Sequence, residues 1–332
     1  KRELIAREAD NMLKSNALPG RELKHVFNSM VQGFAAKFSE KEIAKLKNDE
    51  RVDYVEKDRY VVLGPPSWVG GGDDDGSTGQ ETPWGITRVK GAADGTGKVA
   101  WSIDTGIDLD HPDLDVDATR SYSVFTTGRD KDPDDNNGHG THVAGTVAAL
   151  DNDEGVVGVA AGATVVAVKV LDARGSGSYS GVIEGVDYVG ANGSSGDAAN
   201  MSLGGPTSDA LDDAVLSASQ NGLVFAIAAG NDSDDANNYS PARVNGTNVF
   251  TISAMDDTDT WAYFSNYANP PVDYCAPGVD VKSTWKDGGY NTISGTSMAS
   301  PHAAGVLLLG NASSDGNVID DPDGDADPII YN

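Results

Sequence analysis

Cysteine is almost absent: the single residue Cys275 in 332 excludes any intrachain disulfide and reads as a small buried filler. Long apolar runs are missing too, since none approaches the roughly 20 residues that a membrane-spanning helix needs. Basic residues are scarce, with 24 Lys and Arg against 51 Asp and Glu, a formal net charge of −27. The deficit is uneven. Residues 1–63 hold 13 Lys and Arg against 11 Asp and Glu, net +2, so residues 64–332 hold the other 11 against 40, net −29. Such a surface argues against nucleic acid and anionic membranes as partners. It suits solubility in high salt, where repulsion is screened within a few Å. A salt-adapted source is the expectation; a generically acidic secreted enzyme is the alternative.

With 39% hydrophobic residues, the chain can bury one large core and a small extra domain. Residues 3–14 and 39–48 have the period of amphipathic helices, while 25–38 and 52–63 read as strands, so a small α+β unit with an antiparallel sheet is expected first. Gly64, Pro65 and Pro66 end it, and GGGDDDGSTG (70–79) reads as a loose linker. Between residues 98 and 310 strands and helices alternate, which predicts an α/β fold: a mainly parallel sheet with helices on both faces. After VLLL (306–309), the segment DDPDGDADP (320–328) has the composition of a calcium loop without the twelve-residue spacing, and residues 311–332 are expected to be a disordered acidic tail. Lys1 opens a charged helix-like stretch, and a signal peptide is expected not to be present in this chain.

Three segments carry residues suited to nucleophilic chemistry. ISGTSMASPHAAG (293–305) sets Ser297 at a helix start, with small residues around it and Pro301 in what reads as an early turn that loses no needed N–H. A helix start offers uncommitted N–H groups and partial positive charge to an oxyanion. Read alone, Ser297 is as well explained as the cap of a small-residue core helix. VAWSIDTG (99–106) reads as a buried strand that ends in Asp104, and NNGHGTHVAGTVAA (136–149) as a glycine turn entering a helix with His139 at its start. A serine nucleophile needs a base and a carboxylate to orient that base, and Asp104, His139 and Ser297 supply the three types.

DTGID (104–108) with HPDL (111–114), GHGTHVAGT (138–146) and GTSMASP (295–301) resemble the Asp, His and Ser blocks of the subtilisin-like serine proteases. FAIAAGND (225–232) resembles the strand that presents that family's oxyanion asparagine, here Asn231. The resemblance implies a secreted serine endopeptidase with Asp104, His139, Ser297 and Asn231 as catalytic residues. RGSGSYS (174–180) and NMSLGG (200–205) resemble its two substrate edges, with Gly175, Ser176 and Gly177 on one side and Ser202, Leu203 and Gly204 on the other. Ala229 and Gly230 would wall a roomy apolar pocket for a large apolar residue on the acyl side of the cut. Residues 1–63 resemble the family's propeptide, a chaperone and inhibitor whose tail YVVL (60–63) enters the site, with self-cleavage expected between Leu63 and Gly64. The implied domains are 1–63 propeptide, 64–82 linker and mature N-terminal segment, 83–310 catalytic domain and 311–332 tail. Calcium is the implied metal, held by Gln80, Asp113 and Asn152 with carbonyls of Leu150, Glu154 and Val156. A second, weaker site would use Asp273 with carbonyls of Thr247 and Val249. Protein substrates, the chain's own propeptide and a monomeric state complete the expectation; His111 and His142 are read as structural.

Overall fold

The structure is a computed structural model that describes residues 2–63 and 79–332. Gly64 and all of the expected linker except Gly79 lie outside the described residues.

The N-terminal unit follows its pattern closely. Helix α1 (Arg2–Ser15) is followed by the antiparallel hairpin of β1 (Leu23–Phe27) and β2 (Gly33–Ala36). Helix α2 (Glu40–Leu46) starts at a capping box, in which the Ser39 N–H donates to the Glu42 carboxylate at 2.7 Å. Leu13, Leu18 and Leu46 form a small core beneath Phe34 and Phe38. Residues 52–63, expected to strengthen that sheet, are strand only at β3 (Tyr60–Val62), and β3 pairs elsewhere.

In the larger domain, β4 (Val99–Asp104), β5 (Tyr122–Ser123), α3 (His139–Ala148), β6 (Thr164–Lys169), β7 (Ser176–Ser178) and α4 (Tyr179–Asn192) come first. Then follow β8 (Ala198–Met201), α5 (Asp209–Ser219), β9 (Val224–Ala228), β10 (Val249–Met255) and β11 (Val272–Pro277). The hairpin β12 (Val281–Trp285) and β13 (Gly289–Ile293) leads to α6 (Thr296–Leu309), β14 (Ser313–Asn317) and β15 (Pro328–Tyr331). Nine strands form one sheet in the order β14-β15-β11-β10-β9-β8-β4-β6-β5. Neighbours are parallel except β14 and β15.

Strand alternation gives the sheet two unlike faces. Ala100, Ala198, Ala226, Ala254 and Ala276 share one cluster with α3 and α6. Trp101, Ile103, Met201, Phe225 and Ile227 share the other with α4 and α5. The alanine face lets α6, itself lined by Ala299, Ala303 and Ala304, lie close to the strands with no solvent between them. The Ala229–Asn231 turn after β9 therefore meets the N-terminus of α6, and Asp104 ends β4 at the same carboxyl edge of the sheet, where doubly wound folds place their sites.

The C-terminus departs from expectation. Residues 311–332 are not a disordered acidic tail: β14 and β15 extend the sheet, anchored by the buried Ile329 and Ile330. Asp327 is buried with them and accepts the Ser253 hydroxyl. Burial, only partly offset by that bond and reinforced by the charge of Asp321, pushes its carboxyl up to about 7. A folded value above the ordinary carboxylate range means that the folded chain holds the proton more tightly, so this stabilisation is full near pH 4 and is lost as pH rises through 7. Asp327→Asn should thus raise the Tm at pH 8 by about 2–4 °C and leave it unchanged at pH 4. Equal shifts in thermal melts at the two pH values would contradict this.

Candidate active site

Asp104 ends β4 with its side chain wholly buried. Its Oδ1 accepts the Thr105 N–H at 2.7 Å and faces His139 Nδ1 at 2.8 Å. The glycines flanking His139 make this approach feasible. Gly138 has φ +113°, and at Gly140 a Cβ would fall 2.1 Å from the carbonyl oxygen of Gly106, in the loop after Asp104. Burial alone would lower the proton affinity of His139, but the charge and bond of Asp104, helped by Asp135, outweigh it and hold the imidazolium above its usual pKa. With Nδ1 turned to Asp104, Nε2 is the ring nitrogen that remains to exchange a proton with another group.

Ser297 is the second residue of α6. Its Oγ donates to the Ser202 carbonyl at 3.2 Å, while Ser202 Oγ donates to the Ser297 carbonyl at 2.7 Å. Pro301 explains the second bond. It is the sixth residue of the helix rather than part of its first turn, so the N–H it lacks is the one that would have served the Ser297 carbonyl. The Ser202 hydroxyl takes that place and ties the segment at Ser202 to the backbone of Ser297. Ser202 is held in turn by Asn200 Nδ2 at 2.8 Å, and Asn200 Oδ1 accepts the Ser300 hydroxyl at 2.7 Å. Among the described residues no hydrogen bond joins Ser297 Oγ to His139, the serine hydroxyl being turned to the Ser202 carbonyl.

Asn231 is exposed, yet its amide is oriented. Its Oδ1 accepts both the Thr296 N–H, at 2.8 Å, and the Thr296 hydroxyl, at 2.9 Å, and that hydroxyl accepts the Gly230 N–H at 3.2 Å. With the oxygen committed to Thr296, Nδ2 is the amide atom left to donate to another group. The Ser297 N–H is one of those that a helix start leaves without an intrahelical acceptor. Together they form a two-donor arrangement suited to an oxyanion.

The cleft holds the chain's own tail. β3 pairs antiparallel with β7, in the register Tyr60 to Ser178, Val61 to Gly177 and Val62 to Ser176, and the Leu63 N–H donates to the Gly175 carbonyl at 2.9 Å. Tyr60 and Val62 face solvent and Val61 is fully buried. Leu63 packs over Gly175 and against the cluster that contains Val61 and Tyr179, whereas Ala229 belongs to a separate cluster with Ala236, Ala242 and Val272. The expected filling of the Ala229–Gly230 pocket by Leu63 is thus not what its packing supports. The propeptide-like unit grips α4 and α5 through acids at their first turns, where helix N–H groups favour negative charge. Asp58 accepts the Ser180 N–H at 3.0 Å and its hydroxyl at 2.8 Å, and Glu56 accepts the Ala210 N–H at 3.2 Å. In the other direction, Asp187 accepts the N–H groups of Asn28, Ser29 and Met30.

Most of the residues expected to hold calcium come together. Gln80 Nε2 reaches the carbonyls of Leu150, at 2.6 Å, and Val156, at 3.3 Å. Asp113, whose carboxyl is raised by burial, accepts from Asn152 Nδ2, the Val156 N–H and the Tyr290 hydroxyl. Glu154 enters through its N–H, which donates to Asn152 Oδ1 at 3.0 Å. Two carbonyls aimed at one amide donor, beside a buried carboxylate, are a hard-oxygen set that fits calcium in type. At the second place Asp273 accepts the Thr251 N–H at 2.9 Å, two residues beyond Val249, and burial pushes its carboxyl up to about 6. Among the described residues no group of three or more His, Cys, Asp or Glu could hold a metal, so either site would depend on carbonyl and amide oxygens. His111 and His142 use Nε2 on the backbone carbonyls of Gly289 and Val281, as structural histidines do.

One buried acid of the site, Asp135, was missed by sequence reasoning. It stands among Asp130, Asp132 and Asp134 and looks like one more surface carboxylate; its place four residues before His139 was the available signal.

Comparison with known proteins agrees with this geometry. The model of the subtilase family, Peptidase_S8, matches residues 96–314, and that of peptidase inhibitor I9 matches residues 2–63. Alkaline serine exoprotease A of Vibrio alginolyticus is 44% identical over 299 residues, covering 87% of this chain and 53% of its own length, so the chain spans about half of that relative. The extracellular serine proteinase of Thermus sp. (strain Rt41A) is 41% identical over 303 residues, covering 90% of this chain and 70% of its own. A crystal structure of a cold adapted subtilisin-like serine proteinase is 41% identical with a TM-score of 0.65, covering 75% of this chain and 97% of that one. The chain belongs to the subtilase family of serine peptidases and carries an inhibitor I9 domain ahead of its peptidase domain.

Proposed function

We propose that this chain is the self-inhibited proform of a secreted, calcium-stabilised serine endopeptidase. The observation that carries the reading is the β3–β7 pairing, in which the chain's own extended segment is added as a strand to β7, the segment that resembles one of the family's substrate edges. Backbone pairing of this kind selects sequence weakly, so broad specificity is expected, with a large apolar residue preferred in the Ala229–Gly230 pocket. His139 takes the Ser297 proton as Oγ attacks the peptide carbonyl and gives it to the amine that leaves as the C–N bond breaks; Asp104 orients the imidazole; Asn231 and the Ser297 N–H hold the oxyanion; water, deprotonated by His139, then attacks the ester and frees the acid and the serine. The tail is the first substrate, cut at the junction that begins at Leu63.

Calcium would be held by Gln80, Asp113, Asn152 and the carbonyls of Leu150, Glu154 and Val156, and more weakly by Asp273 with Thr247 and Val249. When bound it would supply positive charge that holds the 150–156 loop to the segment at Gln80. The −29 charge of residues 64–332 supports a salt-adapted, extracellular, monomeric enzyme that binds neither nucleic acid nor membranes.

Incubating the purified proform with and without calcium, at low and high salt, tests the reading. N-terminal sequencing should find a mature start at Gly64, together with the onset of casein hydrolysis, faster with calcium and salt. A start well beyond Gly64, or casein hydrolysis with the tail still joined, would contradict it.

A further inference from the structure

The protease reading leaves Asp135 unused, although it is the most heavily bonded carboxylate near the triad. It is 5% exposed and accepts five hydrogen bonds. Oδ1 takes the Thr105 hydroxyl and the N–H groups of Asn137 and Gly138, each at 2.9 Å. Oδ2 takes the Thr141 N–H at 3.0 Å and the Thr141 hydroxyl at 2.7 Å. Both hydroxyls already accept a backbone N–H, Thr105 from Gly140 and Thr141 from Asp108, so each has its own proton to give. Burial pushes the Asp135 carboxyl above its usual range, while the donors on both oxygens suit an acceptor-only carboxylate and act the other way, favouring the ionised form.

The donors fall into two groups. Asn137, Gly138 and Thr141 bracket His139 at the start of α3, and Thr105 follows Asp104 at the end of β4. The backbone repeats the link, since the Ile107 N–H donates to the Pro133 carbonyl and the Asp135 N–H to the Ile107 carbonyl. We propose that Asp135 is a positioning residue of the active site: one carboxylate locks the strand end that bears Asp104 to the helix start that bears His139, and adds a second negative charge to the surroundings of the imidazole.

The other charged and titratable groups on elements packed about α3 do not replace it. Lys169 on β6 is directed to the Thr105 carbonyl and Asp130, and Lys282 on β12 reaches Glu81. His142 on α3 and His302 on α6 are fully buried and pushed down to about 3 and about 4, first by desolvation, so both are neutral at working pH. Asp104 and Asp135 are therefore the charges that raise His139.

The inference rests on the protease reading, and its test separates the two. Wild type, Asp135→Asn and Thr105→Val are matured from the full chain and assayed on a peptide amide across pH. Asp135→Asn keeps the shape but turns donors on N–H groups and removes the charge. Its kcat should fall by about 10- to 100-fold with KM within about twofold, as for a small misplacement of reacting groups. The acid limb of its kcat/KM profile should move to lower pH, because less negative charge faces the imidazolium. Thr105→Val loses one strut and keeps the charge, so kcat should fall severalfold with the acid limb in place. An unmoved acid limb in Asp135→Asn, or turnover within twofold of wild type in both variants, overturns the role. If Asp135→Asn does not fold, Thr105→Val decides: turnover within twofold of wild type overturns the proposal. An inert wild type would fail the protease reading itself, whereas an active wild type with unchanged variants fails only Asp135.

Discussion

Replacing Ser297 with alanine is expected to lower peptide hydrolysis by about 10⁶-fold, the size seen for the triad serine of subtilisin. The loss should appear in kcat, since the β3–β7 pairing that models substrate binding does not involve the Ser297 side chain. Stability should barely change. The Ser297 side chain makes a single hydrogen bond among the described residues, to the Ser202 carbonyl, while the bond that organises the helix start runs the other way, from Ser202 to the Ser297 carbonyl, and survives the substitution. The variant should also remain uncut at the Leu63 junction, which makes it a means of isolating the intact proform. Hydrolysis within tenfold of wild type, measured on Ser297→Ala after an added protease has removed residues 1–63 and has itself been removed, would exclude Ser297 as the nucleophile.

The second largest effect is expected at Asn231. Its alanine variant should lose about 10²- to 10³-fold in kcat with KM nearly unchanged, because the amide donates to an oxygen that carries charge only in the transition state. Thr296 holds that amide from the side of α6 through two bonds to Oδ1, so Nδ2 is preorganised. Near-normal turnover in Asn231→Ala would refute the oxyanion role.

Much of this site was legible in the residues because each part has a local signature. The glycines around His139 mark a helix that must approach another backbone, and Gly140 sits against the Gly106 carbonyl as that pattern requires. The alanines of α6 mark a helix pressed against a sheet, and the sheet answers with alanines of its own. What stayed hidden depends on contacts between distant segments. Pro301 looked harmless in the linear chain; only the fold shows that it frees the Ser297 carbonyl for Ser202. Asp135 hid among neighbouring acids because burial, not identity, distinguishes it. The acidic composition of residues 311–332 concealed the short apolar anchor Ile329–Ile330, too brief for a periodicity argument yet sufficient to pair with β11 and bury Asp327. Leu63 was read as the pocket-filling residue from its apolar character, whereas its strand register packs it with Val61 over Gly175.

The central claim is that Ser297 is an activated nucleophile beneath the chain's own tail. Treating the proform and the matured chain with an organophosphonate serine reagent, then locating the adduct by peptide mass spectrometry, tests it most directly. One adduct is expected, on Ser297, formed slowly while residues 60–63 are paired with β7, rapidly after maturation, and not at all in Ser297→Ala. A matured chain that remains unlabelled, or is labelled at another residue, would contradict it.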